Sequence, residues 1–103
     1  MKDHARATWT GAVLVCGKCS KRIDGGFGKK GRQSLAKALR EEPGFGKGRK
    51  AEVGVVEVRC LGICPRDAVT LVDTRAPDRW RLVPRGSDVT ALAATLRQGG
   101  DDR

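Results

Sequence analysis

Two cysteine pairs set what this chain can do chemically: Cys16 and Cys19 in a Cys-x2-Cys arrangement, and Cys60 and Cys64 in a Cys-x3-Cys arrangement. Thiolates are soft ligands, and four of them select zinc, copper(I) or an iron–sulfur cluster. Each pair encloses a glycine, Gly17 in the first and Gly62 in the second. Glycine lets backbone N–H groups approach sulfur closely, and such hydrogen bonds tune a cluster's potential. Residues 1–10 are polar, without the apolar stretch of a secretory signal. No run of about 18 apolar residues is present, so no membrane span is expected. The expected compartment is the cytoplasm, where cysteines are kept reduced and serve as metal ligands or redox thiols rather than structural disulfides.

Spacing narrows the chemistry without closing it. Zinc sites also use Cys-x2-Cys pairs, typically with about 15 to 20 residues between them. Here forty residues separate Cys19 from Cys60, and the second pair is the wider Cys-x3-Cys. Both features favour a cluster over a zinc ribbon, with zinc as the alternative. A third reading takes Cys16-Gly17-Lys18-Cys19 as a redox dithiol. Such a dithiol normally opens a helix that lowers the thiol pKa, and residues 17–31 read instead as a glycine-rich loop. Catalysis of another kind is not indicated. His4 lies in the polar N-terminal segment, and Asp24, Asp67 and Asp73 assemble no acid pair or Ser-His-Asp set, so the chain reads as a carrier or metal-binding module rather than an enzyme.

The elements that must position these thiols follow from periodicity. Gly11-Ala12-Val13-Leu14-Val15 predicts a buried strand ending at Cys16. Residues 32–42 predict a helix, with Leu35, Ala38 and Leu39 on one face and Pro43-Gly44 ending it. Residues 53–58 predict a strand, with Gly54 as a weak point or bulge. Strands follow at 68–72 and 80–83, and Ser87 caps a last helix over 88–96, whose apolar stripe is Val89, Leu92, Ala93 and Leu96. The predicted order is β-α-β-β-β-α. A strand–helix–strand unit makes its strands parallel, so the loops carrying Cys16 and Cys60 lie at one end of the sheet. Trp9 and Trp80 are expected in the core, and Phe27 and Phe45 as sheet cover rather than base-stacking platforms.

On these residues the chain resembles the thioredoxin-like, Shethna-type 2Fe-2S ferredoxins. The resemblance runs over residues 11–97. It is carried by Val13-Leu14-Val15-Cys16, the following helix and Val56-Glu57-Val58-Arg59-Cys60-Leu61-Gly62-Ile63-Cys64-Pro65, with its C-L-G-x-C core. Better-known members space their first two cysteines by about a dozen residues, so this chain looks like a short-spaced branch. The resemblance implies an α+β thioredoxin-like ferredoxin domain. It implies one 2Fe-2S cluster on Cys16, Cys19, Cys60 and Cys64, and electron transfer as the function. Residues 1–10 and 98–103 are then expected as flexible tails.

Charge points to the partner. Residues 17–50 hold eleven Lys or Arg against three acids, whereas residues 51–103 hold eight Arg against eight acids. A one-signed field beside the ligands, from Lys18, Lys21, Arg22, Lys29, Lys30 and Arg32, suits an acidic redox partner protein. Nucleic acid is the secondary partner, reached through the same loops in the zinc alternative, and a homodimer is compatible with the sequence. A chain with 39% hydrophobic residues and four aromatics builds a core of limited reserve at this length. A bound centre would add to it.

Overall fold

Runs of β-branched residues flanked by glycine build the sheet first. The computed structural model describes residues 5–28, 30–63 and 65–98. Its elements in chain order are β1 (Gly11–Cys16), α1 (Gly17–Arg22), α2 (Leu35–Arg40), β2 (Phe45–Gly46), β3 (Val53–Val58), β4 (Ala68–Asp73), β5 (Arg81–Pro84) and α3 (Val89–Arg97). They form a small α+β domain on one mixed sheet in the order β2-β3-β1-β4-β5. β1 and β3 are parallel, with Cys16 opposite Val58, and β4 runs antiparallel to both β1 and β5. The expected order of four main strands and two main helices is present, with α1 and β2 added to it.

Because successive strand residues point to opposite faces, the register sorts the side chains. Val13, Val15, Val53, Val55, Val69, Leu71 and Val83 share one face and are all buried. Leu35 and Leu39 of α2 and Ala93 and Leu96 of α3 join them in one core with Phe27 and Phe45. Fully burying a side chain of the Val or Leu class contributes about 1.5 to 3 kcal/mol, so this layer is the main source of stability. Leu14, Val56, Val72 and Leu82 project from the opposite face, where Leu82 is 52% exposed. No helix among the described residues is long and apolar enough to cross a membrane.

Local departures from the sequence expectations have physical causes. The helix expected over 32–42 is trimmed to Leu35–Arg40, because Ser34 caps it by accepting the Lys37 N–H at 3.2 Å. Asp88, not Ser87, caps α3 by accepting from the Ala91 N–H at 3.2 Å. Ser87 instead donates its hydroxyl to the Pro84 carbonyl. Gly54 keeps regular register with Ala12 and is no bulge. A Cβ there would lie 2.5 Å from the Trp9 indole, so the glycine is the seat for that ring. Trp9 also donates Nε1–H to the Gly48 carbonyl, and the Thr8 and Thr10 N–H groups bond to Arg49 and Glu52. Trp80 is 41% exposed rather than in the core.

Candidate thiol centre

The first cysteine pair is set by a strand-to-helix junction. β1 delivers Cys16 in extended conformation as the residue before α1, and the chain turns helical at Gly17. The sequence reading of residues 17–31 as a loop is therefore corrected over its first six residues. The helix carries no side-chain cap and opens on a poor helix former, which hides it from propensity. It is held by packing: Cys19 and Ile23, four apart, are buried on the core side. Lys21 and Arg22 in its last turn suit the helix dipole, and the buried Ser20 hydroxyl donates to the Cys16 carbonyl at 3.2 Å.

The second pair follows from parallel β3. Val58 lies opposite Cys16, so Cys60 begins its loop two residues beyond the same sheet edge. The Lys18 N–H donates to the Arg59 carbonyl at 3.0 Å and ties the start of α1 to that loop. Gly62 adopts φ +93°, open to glycine and strained for other residues, and its N–H donates to Cys60 Sγ at 3.3 Å. The loop then lies against the first pair. The Ile63 carbonyl accepts from Thr70 Oγ1 at 2.9 Å and stands 3.6 Å from Cys19 Sγ.

These surroundings drive the two buried thiols apart electrostatically. Burial alone would push the Cys16 thiol up. The backbone N–H groups of Cys19, Leu61 and Lys18, with the Cys19 thiol, overcome it and hold Cys16 below the ordinary thiol range. Cys19 moves the other way. Its burial and the adjacent Cys16 sulfur raise it, against the pull of the Thr70 N–H and hydroxyl. A junction of this kind can ionise one sulfur while keeping its neighbour protonated, or offer both to a soft metal.

Of the four cysteines singled out by the sequence, Cys16 and Cys19 are side by side, and Cys60 stands on the adjoining loop, exposed. Cys64 lies outside the described residues, as do His4 and Lys29. Among the described residues, no three His, Cys, Asp or Glu side chains converge closely enough to hold a metal ion. Phe27 and Phe45 are buried at 1% and 6% exposure, which fits sheet cover and removes them as stacking platforms. Along α1 and the end of β3 opens a groove of about 720 Å³, where Lys18, Lys21, Arg32 and Arg59 outnumber Asp24 and Glu57. Arg59, outside the basic segment, was missed by counting charge along the chain. Thr70 was missed as well. The available signal was a lone hydroxyl inside the otherwise apolar start of β4, Ala68-Val69-Thr70-Leu71-Val72.

No family model, no curated protein and no solved structure matches the chain.

Proposed function

We propose that this is a thioredoxin-like 2Fe-2S ferredoxin domain, with Cys16, Cys19, Cys60 and Cys64 as ligands, that passes electrons to an acidic partner protein. The observation carrying this reading is the convergence of the two cysteine loops at one sheet edge, through Lys18–Arg59, Thr70–Ile63 and Ile63–Cys19. The strand order β3-β1-β4-β5, with the first two parallel and the rest antiparallel, supports the thioredoxin-like assignment. The donor set fits a cluster in kind: soft thiols surrounded by backbone N–H groups at sulfur. Completing it asks the Cys60 thiol to turn toward the buried pair, and its exposure leaves room for that movement. When bound, such a cluster takes up and releases one electron at a time. The chain's own residues hold the sulfurs and steer the partner. Lys18, Lys21, Arg32 and Arg59 line the groove next to the ligands and would attract an acidic surface.

A second reading is favoured by one observation, the opening of α1 at Cys16. That pair then works as a dithiol, with Cys16 as the attacking thiolate and Cys19 as the resolving thiol. Purification without air, with iron supplied during expression, separates the two. Red-brown protein with visible absorption that survives gel filtration supports the cluster. Colourless protein that forms a Cys16–Cys19 disulfide with an added disulfide oxidant supports the dithiol. Colourless protein with one zinc per chain supports the zinc alternative.

A further inference from the structure

We infer that Thr70 is a positioning residue of the thiol centre, its hydroxyl latching the Ile63 end of the second cysteine loop over Cys19. The inference deepens the ligand-site reading and rests on it for its meaning, though not for its test. Thr70 is fully buried in the middle of β4, flanked by Val69 and Leu71. A hydroxyl there is costly unless bonded. Its Oγ1 donates to the Ile63 carbonyl at 2.9 Å and lies 3.9 Å from Cys19 Sγ. Cys19 Sγ in turn is 3.6 Å from the same carbonyl. Three segments thus meet at one point: α1 through Cys19, the loop through Ile63, and the sheet through Thr70.

The placement matters because Ile63 directly precedes Cys64. Thr70 holds the Ile63 carbonyl, the last described residue before the fourth cysteine in sequence, through one side-chain atom rather than a strand ladder. Ile63 itself is 46% exposed, so its side chain does little to hold the loop down. Thr70 therefore ties the loop to the helix beneath it.

The test uses the full chain with Thr70→Val, which removes the hydroxyl at nearly constant volume, and Thr70→Ser, which keeps it. In metal-free, reduced protein, iodoacetamide labelling of each cysteine is followed by mass spectrometry. Read on the high-pH plateau of each variant's rate profile, where the thiol is ionised and only access differs, loss of one buried hydrogen bond should raise the Cys19 labelling rate about tenfold in the valine variant and leave the serine variant within about twofold of the parent. Cys60, already exposed, should label at the parent rate in all three. An unchanged Cys19 rate in Thr70→Val, or a serine variant that behaves like valine, overturns the inference. If the valine variant does not fold, Thr70→Ala against Thr70→Ser makes the same comparison. The labelling result decides the role of Thr70 even if the chain takes no iron, so failure of this inference and failure of the cluster reading are told apart.

Discussion

Cys16 and Cys19 are 0% and 1% exposed and belong to the main core, whereas Cys60 stands in solvent on a loop shaped by Gly62. The first pair is thus part of the fold, fixed by β1, α1 and the packing of Ile23. The loop carrying Cys60 is presented to it by a few contacts from Lys18 and Thr70. The two halves of one candidate centre therefore carry different burdens. Changing the first half should disturb folding with or without metal. Changing the second should disturb only what the centre adds.

The largest effect should come from breaking the second half in loaded protein. Bound metal contributes on the order of 10 kcal/mol to folding in small zinc peptides. Cys60→Ala should lose the centre, and its melting temperature in calorimetry should drop to that of the metal-free parent. A loaded Cys60→Ala protein that melts with the parent would show the site to be peripheral to the fold.

Next in size is the same comparison without metal. Cys19→Ala opens a gap in the core and should cost about 1 to 2 kcal/mol in denaturant unfolding, while Cys60→Ala should stay within about 0.5 kcal/mol of the parent. Equal losses would erase the distinction between the two halves.

A smaller effect separates the thiols by pH. The thiolate is the form that alkylates, so each labelling rate rises as pH passes the thiol's pKa. Cys16 is held below the ordinary thiol range and Cys19 above it. In metal-free protein the Cys16 profile should therefore rise at lower pH than that of Cys19, with exposed Cys60 the fastest in absolute rate. The reverse order for the buried pair would contradict the arrangement of N–H donors around Cys16.

The smallest effect concerns the groove. Reversing Lys18, Lys21 and Arg59 to Glu should slow electron transfer to an acidic partner several-fold at low salt and leave the visible spectrum unchanged. Reversing Lys47 and Lys50, which do not line the groove, should do less. Raising salt should shrink the difference, since screening acts over about 8 Å at physiological strength. Equal effects from both sets would place recognition in overall charge rather than in the groove. Submicromolar retention of duplex or single-stranded DNA at physiological salt would instead favour nucleic acid as the partner.

Much of the frame was legible because periodicity reports burial. Val53–Val58 was read with its observed bounds, Ala68–Asp73 to within one residue, and the stripe of Val89, Leu92, Ala93 and Leu96 lies on α3. The parallel pairing of β1 and β3, which brings Cys16 and the Cys60 loop to one edge, followed from a topological rule rather than from any residue. What stayed hidden was held by tertiary contacts. α1 has a glycine start and only Cys19 and Ile23 as its apolar signal, so packing and not propensity makes it helical. Thr70 bonds to Ile63 seven residues upstream, and Trp9 packs on Gly54 from forty-five residues away. Neither contact leaves a local pattern.

Whether the two cysteine loops hold one iron–sulfur centre is decided by analysis of iron, acid-labile sulfide and zinc in protein purified without air from iron-supplied cells. About two irons and two sulfides per chain are expected, lost together in Cys16→Ser and in Cys60→Ser. Stoichiometric zinc without sulfide, or a chain free of both metals whose Cys16 and Cys19 cycle between dithiol and disulfide, would contradict such a centre.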